Sequence, residues 1–176
     1  MNTRTETGTT LACPPRGLIR AARTRLHAAA DALQAPFLLL VRLYWGWQFA
    51  VTGWGKLQHL ARVTAYFASL GIPLPAFNAR MVGSLECFGG VLLALGLASR
   101  PVAALLTVNM LVAYWTADRE ALAAVLSDPG KFYGAAPYTF LFAALLVLAF
   151  GPGAVALDRL LQWWKSRTPV KHMTMP

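Results

Sequence analysis

Hydrophobic positions along the chain form four runs, each long enough to cross a lipid bilayer. The runs cover residues 36–55, 80–97, 101–117 and 136–157. A transmembrane helix needs about 20 mainly apolar residues, and somewhat fewer when long charged side chains at its ends reach back to the interface. Prolines stand at or near the starts of three runs, where the missing backbone N–H is harmless. The pattern predicts an all-α membrane protein built as a four-transmembrane-helix bundle.

A second pattern precedes the first run. Between residues 17 and 35 apolar residues recur at helical spacing, while Arg20 and Arg23 face another direction. This is typical of a basic amphipathic helix that lies on the cytoplasmic membrane surface. We therefore expect a disordered tail (1–16), the amphipathic surface helix (17–35), the four-helix transmembrane domain (36–161) and a cytoplasmic basic tail (162–176).

Composition and charge agree with a membrane location. The chain is 57% hydrophobic and only 13% charged, which is unlike an ordinary soluble domain. The formal net charge of +9 comes from basic residues that cluster outside the apolar runs, without the aromatic interleaving of a nucleic-acid-binding stripe. Anionic membrane lipid is the expected counter-charge, and no nucleic-acid partner is predicted.

The distribution of Lys and Arg also predicts an orientation. Basic residues precede the first run, follow the fourth, and occur at Arg100 between the second and third runs. Because cytoplasmic loops carry the excess of Lys and Arg, these three regions should share the cytoplasmic side. A multi-pass protein of the inner (plasma) membrane with both termini in the cytoplasm is expected.

Glu86 is the leading functional candidate, because it lies alone among apolar, small and weakly polar residues of the second run. A carboxyl group at membrane depth costs roughly 2.5–3.5 kcal/mol or more, so it needs a partner or a function. Gln48 of the first run lies at the same depth, and Lys56 can reach inward toward Glu86. Glycines at positions 46 and 53 and beside Glu86, at 83, 89 and 90, predict close packing of the first two spans.

Two further polar residues complete the candidate site. Arg42 either stretches outward toward Glu86 or extends to the cytoplasmic surface, and both alternatives remain open. Asn109, midway along the third run, is a further polar contributor. A buried cluster that only fixes helix register is as strong an interpretation of these residues as chemistry. No second His or Cys accompanies His59 at metal-ligand spacing, so no metal site is predicted.

Together these residues resemble the DoxX family of small four-helix membrane proteins over about residues 36–161. The resemblance rests on five pieces in this order: Arg42-Leu-Tyr-Trp-Gly46; Gly53-Trp-Gly-Lys-Leu57; Phe67-Ala-Ser-Leu-Gly-Ile-Pro73; Glu86-Cys-Phe-Gly-Gly90 with Leu95-Gly-Leu-Ala-Ser-Arg100; and Gly151-Pro-Gly153 with Leu157-Asp158. It implies association with membrane oxidoreductase assemblies, including a thiosulfate:quinone oxidoreductase and detoxifying complexes. The family's Arg, Lys and Glu positions correspond to Arg42, Lys56 and Glu86.

These observations support three competing functions. The first is a membrane subunit of a quinone- or sulfur/thiol-linked oxidoreductase assembly, with Glu86, Lys56 and Arg42 as catalytic residues and Gln48 and Asn109 as substrate-binding residues. In that case Glu86 would exchange a proton with quinone as bound substrate, Lys56 or Gln48 would bind a carbonyl oxygen, and partner proteins would supply the redox centre, since no intrinsic cofactor is predicted. The alternatives are a non-catalytic membrane scaffold or anchor, and a small-solute proton-coupled transporter that would work as a homo-oligomer.

Overall fold

The computed structural model describes residues 16–151, 153 and 156–158, and within the first part of helix α1 it describes the side chains of residues 25 and 27 and of those from 32 onward. Most of the described residues are helical and none of them lies in a strand, which confirms the all-α class. The helices are α1 (Arg16–Gln58), α2 (Leu60–Ser69), α3 (Pro75–Leu95), α4 (Ser99–Thr116), α5 (Arg119–Ala123), α6 (Pro129–Gly134) and α7 (Pro137–Phe150).

The membrane arrangement itself stays a prediction. Judged one at a time, none of the helices in the described part of the chain has both the length and the apolar composition required to cross a bilayer. The predicted tails, 1–16 and 162–176, lie outside the described residues apart from Arg16.

Helix α1 differs from the sequence-based expectation at its centre. It runs without interruption over 43 residues, and Pro36 lies inside it rather than at the start of a separate helix. The chain divides into a unit of residues 1–33 and a unit of residues 34–176. The first unit contains the beginning of α1, and the second contains every residue of the candidate site. The placement of residues 17–35 on a membrane surface stays a prediction.

The last predicted span is wrong beyond Phe150. Helix α7 ends there, whereas the hydrophobic run continues to Leu157. Gly151 and Gly153 both have φ of 78°, a left-handed conformation that glycine adopts at low cost and that a helix cannot continue through. Hydrophobicity alone therefore overestimates the length of this helix.

The hydrophobic core lies mainly between α4 and α7. Small and medium apolar side chains of α4 meet those of α7, and Phe49 of α1 joins them through an edge-to-face contact with Phe140, 4.8 Å between ring centroids. Tyr114 at the end of α4 is fully buried, stacks on Phe132 and donates a hydrogen bond of 2.8 Å to the Phe132 carbonyl. That contact fixes α6 against the bundle.

Helices α1 and α3 pack backbone to backbone, as their glycines predict. A Cβ atom on Gly90 would lie 2.5 Å from both the Ala50 nitrogen and the Gly46 oxygen, a distance that real Cβ atoms do not reach. A Cβ atom on Gly53 would lie even closer to the backbone nitrogen of Cys87. Gly89 is an exception to the expectation, because it faces Leu106 of α4 and not α1. The other contacts confirm the predicted close approach of the first two long helices.

The connection between α1 and α3 contains a helix that the hydrophobic pattern did not indicate. Helix α2 packs against α3 and ends at Ser69, where Gly71 turns the chain with φ of 72°. The Asn78 amide then donates a hydrogen bond of 2.6 Å to the Pro73 carbonyl. The second long helix begins directly after this turn, with Pro75 as the first residue of α3.

Candidate functional site

The candidate site is a group of three polar side chains, Lys56, Glu86 and Asn109, which we call the Glu86 cluster. The Lys56 Nζ lies 2.6 Å from Oε1 and 2.5 Å from Oε2 of Glu86. The Asn109 amide donates a third hydrogen bond of 2.9 Å to Oε1. Each residue comes from a different helix, α1, α3 or α4, so one carboxylate holds three helices together.

Burial within the cluster is unequal. The Glu86 side chain is only 2% exposed, whereas the Lys56 side chain is 33% exposed. Desolvating two opposite charges costs more than their attraction returns unless the geometry is good and the remaining oxygen lone pairs find donors. Both conditions are met here, because Lys56 contacts both oxygens and Asn109 supplies a further donor. Glu86 is expected from the sequence to be buried within hydrogen-bond reach of Lys56, Gln48, Arg42 or Asn109, and the structure shows it buried beside Lys56 and Asn109.

Close backbone packing explains how Lys56 reaches Glu86. The Gly53 contact with Cys87 brings the two helices together one turn before Lys56 and one residue after Glu86. A larger residue at position 53 would push the helices apart and lengthen the ion pair. The glycines therefore position the site as well as stabilise the fold.

Gln48 does not join this cluster. Its amide donates to the Tyr44 hydroxyl at 3.4 Å, within its own helix. The sequence predicts the same bilayer depth for Gln48 and Glu86, but equal depth does not bring their side chains together. Gln48 lies on a half-exposed face of α1.

Arg42 lies at the other end of the bundle and not beside Glu86. It is only 2% exposed, and its guanidinium lies against Gly96, so that a Cβ there would be 2.8 Å from the Arg42 Cζ. Gly96 is ten residues beyond Glu86, or about 15 Å along a helix axis. Of the two alternatives for Arg42, extension toward Glu86 is therefore not observed.

The Arg42 end contains a residue for which the hydrophobic pattern predicts no role. The Asp158 carboxylate accepts hydrogen bonds from the backbone nitrogens of Ala98 and Ser99, at 2.9 and 3.0 Å, and from the Ser99 hydroxyl at 3.3 Å. Its own backbone nitrogen donates to the Gly96 carbonyl at 3.1 Å. Asp158 also attracts Arg42 electrostatically. We call Arg42, Ser99 and Asp158 the Arg42 cluster.

Asp158 acts as an N-cap supplied from a distant part of the chain. The start of α4 leaves backbone N–H groups without helical partners, and Ala98, with φ of 47°, has no side chain that can accept from them. A carboxylate there also interacts favourably with the positive end of the helix dipole. An isolated Asp directly after a hydrophobic run, on the same predicted side as Arg42, is the sequence signal that points to this contact.

The two clusters differ in the chemistry that they can perform. The Glu86 cluster combines a buried carboxylate with a partly exposed ammonium, an arrangement able to hold and exchange a proton. The Arg42 cluster binds helix ends to one another and offers no comparable surface group. Among the described residues, no group of three or more His, Cys, Asp or Glu side chains is placed to hold a metal ion.

Comparison with known proteins gives the family. A family model described as DoxX matches residues 37–119. The protein named Inner membrane protein YphA, from Escherichia coli (strain K12), is 30% identical over 134 residues, which cover 73% of this chain and 92% of that protein. The chain belongs to the DoxX family.

A further relative of this DoxX protein carries a functional name. The protein named Putative oxidoreductase CatD, from Bacillus subtilis (strain 168), is 36% identical over 83 residues, which cover 47% of this chain. The match spans 60% of the Bacillus protein's length. No solved structure matches the chain.

The DoxX-like sequence pieces come together at the two clusters. The pieces around Lys56 and Glu86 form the α1–α3 contact beside the ion pair. The pieces around Arg42, Gly96 and Asp158 meet at the opposite end. The remaining piece, 67–73, forms the turn between α2 and α3. Residues that are distant in sequence therefore build two local polar centres.

Proposed function

We propose that this DoxX protein is a membrane subunit of an oxidoreductase assembly and that its Glu86 cluster exchanges protons with a quinone- or sulfur/thiol-linked substrate. The observation that carries the proposal is the buried Glu86 carboxylate, bonded at 2.5–2.6 Å to a lysine that is one-third exposed. A carboxylate within hydrogen-bond reach of an amine that is open to its surroundings has the geometry that proton exchange requires. The names of the two relatives, one an inner membrane protein and one an oxidoreductase, support the same assignment.

The distribution of side chains supports a four-helix arrangement in a membrane. Charged Arg42 and Glu86 are buried, whereas large apolar residues are exposed on the long helices, among them Trp47 at 67%, Phe88 at 65% and Trp115 at 65%. In lipid, unlike in water, such an exterior is favourable and the charges belong inside. Membrane lipid is therefore the proposed environment of this surface.

The same proposal assigns electron transfer to a partner protein. The chain's residues at the Glu86 cluster hold and move a proton, and a partner oxidoreductase carries the redox centre. Quinone is the candidate substrate of this arrangement, with the Lys56 side as its point of contact.

The substitution Glu86→Gln tests the proposal, because Gln keeps the shape and most hydrogen bonds of Glu86 but cannot ionise. We expect the variant to fold and to assemble with its partners while quinone-linked turnover of the assembly falls at least about 100-fold, the lower end of proton-transfer contributions. Assembly is measured by co-purification in mild detergent, and turnover by quinone reduction. Arg62→Gln, which removes an exposed charge from α2, is the matched control and should behave as the wild type.

A scaffold is the second candidate function, and the connection of three helices through Glu86 favours it. If the Glu86→Gln variant assembles normally and retains wild-type quinone-linked turnover, the proton-exchange role is excluded and the scaffold remains.

Topology is tested separately. If both termini are cytoplasmic, single cysteines introduced at Ala68 and Ala123 should react with a membrane-impermeant thiol reagent added from outside intact cells. Both positions are exposed in the structure, so the reagent can reach them. Reaction of either cysteine only after the inner side of the membrane is opened would contradict this orientation.

A further inference from the structure

The accessible part of the Glu86 cluster is Lys56 and not Glu86. Glu86 as a whole residue is 1% exposed, while one-third of the Lys56 side chain is exposed and Asn109 is half-buried. A molecule that approaches from the surrounding lipid or water therefore meets the ammonium before it meets the carboxylate.

The hydrogen bonds of the cluster lead to the same conclusion. Glu86 Oε1 accepts from both Lys56 and Asn109, and Oε2 accepts from Lys56. An ammonium has three N–H donors, and two of them are used in the contacts with Oε1 and Oε2 of Glu86. At least one donor of Lys56 is thus available for a ligand, whereas both Glu86 oxygens are already engaged inside the protein.

We propose that Lys56 is the catalytic residue that contacts the substrate, and that Glu86 is a positioning residue that acts through Lys56. This inference rests on the proposed function. Lys56 donates a hydrogen bond to a substrate oxygen and transfers a proton to it once the partner oxidoreductase has delivered electrons. The Lys56 N–H bond breaks and an O–H bond forms on the reduced substrate. Lys56 becomes a neutral amine, and its exposed side then takes a new proton from water.

In this scheme Glu86 keeps its negative charge throughout. It holds the ammonium in place before the transfer and draws a proton back to the amine afterwards. Asn109 stabilises the ionised carboxylate, because it donates to Oε1. The role of Glu86 is therefore electrostatic, without direct contact between its oxygens and the substrate.

The charge of the cluster also limits the substrate. Lys56 and Glu86 together carry no net charge, and the positive charge is already neutralised by contacts at 2.5–2.6 Å. An anionic substrate would bring a second negative charge close to a buried carboxylate, which is unfavourable in a medium of low dielectric constant. An uncharged molecule that presents a carbonyl oxygen fits the site better than an oxyanion of sulfur.

Protection from amine labelling tests the contact directly. The full-length protein in mild detergent is treated with an amine-acylating reagent, with and without a tetramethyl-substituted benzoquinone, which has no ring hydrogen that an amine could replace. We expect the quinone to slow modification of Lys56 at least threefold. Lys131, whose side chain is 66% exposed, is the internal control and should react at the same rate in both samples. Thiosulfate at the same concentration should protect neither lysine.

A double-mutant cycle tests whether Glu86 acts through Lys56. Lys56→Met, Glu86→Gln and the double variant are compared by quinone-linked turnover of the assembly, with Lys56→Arg as a variant that retains the donor. If Glu86 acts only through Lys56, adding Glu86→Gln to Lys56→Met produces no further loss. Lys56→Arg should retain more turnover than Lys56→Met and show a shifted pH profile. If Lys56 had a purely structural role, Lys56→Arg would not shift the pH profile of turnover. The losses of turnover caused by Lys56→Met and Glu86→Gln would then also not merge into one.

Failure of the inference and failure of the proposed function give different results. Wild-type protein without quinone-linked turnover and without protection of Lys56 would reject both. Quinone-linked turnover without protection of Lys56, or a further loss when Glu86→Gln is added to Lys56→Met, would reject only the inference. The double variant also removes both members of the ion pair, so it remains informative if Lys56→Met alone fails to fold.

Discussion

Replacing Asp158 with alanine should lower the free energy of unfolding in mild detergent by about 2 kcal/mol, the upper end of the range for losing the side-chain acceptor at a helix N-terminus. The variant leaves Arg42, which is 2% exposed, without its nearby carboxylate, and it removes the acceptor for two N–H groups at the start of α4. The N-cap alone contributes about 0.5–2 kcal/mol. Denaturant-induced unfolding followed by circular dichroism measures the change.

Asp128→Ala is the matched control for this prediction. Its carboxylate is 3.9 Å from Lys131 on an exposed surface, where an ion pair contributes roughly 0–1 kcal/mol. Asp158→Asn should fall between the two, because it keeps an acceptor for α4 but loses the charge. Equal stabilities of the Asp158→Ala and Asp128→Ala proteins would show that the Arg42 cluster does not hold the helix ends together.

Replacing Gly90 with alanine should cost about 3 kcal/mol, the upper part of the usual range for overpacking. The added methyl group would lie 2.5 Å from the Ala50 nitrogen and the Gly46 oxygen, which are backbone atoms of α1 that cannot rotate away. Helices α1 and α3 must therefore separate, and the Lys56–Glu86 contact must lengthen. We expect a loss of quinone-linked turnover together with the loss of stability.

Gly55→Ala, in helix α1 on the other side of this contact, should give the opposite result. A Cβ there meets nothing within 4 Å, and the position is helical. Alanine is better than glycine inside a helix by roughly 0.5–1 kcal/mol, so this variant should be slightly more stable than the wild type. Destabilisation of both variants to the same extent would indicate that the effect at Gly90 does not come from helix contact.

Helical periodicity was sufficient to predict the Glu86 cluster. Residues three, four and seven apart share a face of a helix, and this relation predicts that Lys56 and the glycines face the second long helix. Depth in the bilayer related Glu86 to Gln48, which instead donates its hydrogen bond to Tyr44 within its own helix. Asn109 followed from its position midway along the third run, as the polar residue of that helix.

The Arg42 cluster could not be predicted in the same way. The long Arg side chain can extend toward either end of its helix, so its position on α1 leaves the direction of the guanidinium undetermined. Asp158 lies beyond the end of α7, and no periodicity along the chain relates it to Ser99. Hydrophobicity likewise gave no information about the conformation of Gly151, which ends α7 earlier than the apolar run does.

The backbone contact between α1 and α3 also determines which motions are available to the site. Because Gly46, Gly53 and Gly90 place no side chain between the two helices, there is no rotamer there that can change when a substrate arrives. Separation of the helices would be a collective motion on the microsecond to millisecond scale, whereas rotation of a partly exposed lysine takes picoseconds to nanoseconds. The moving part of the site is therefore the Lys56 side chain, and under the proposed function a substrate would reach it without opening of the bundle.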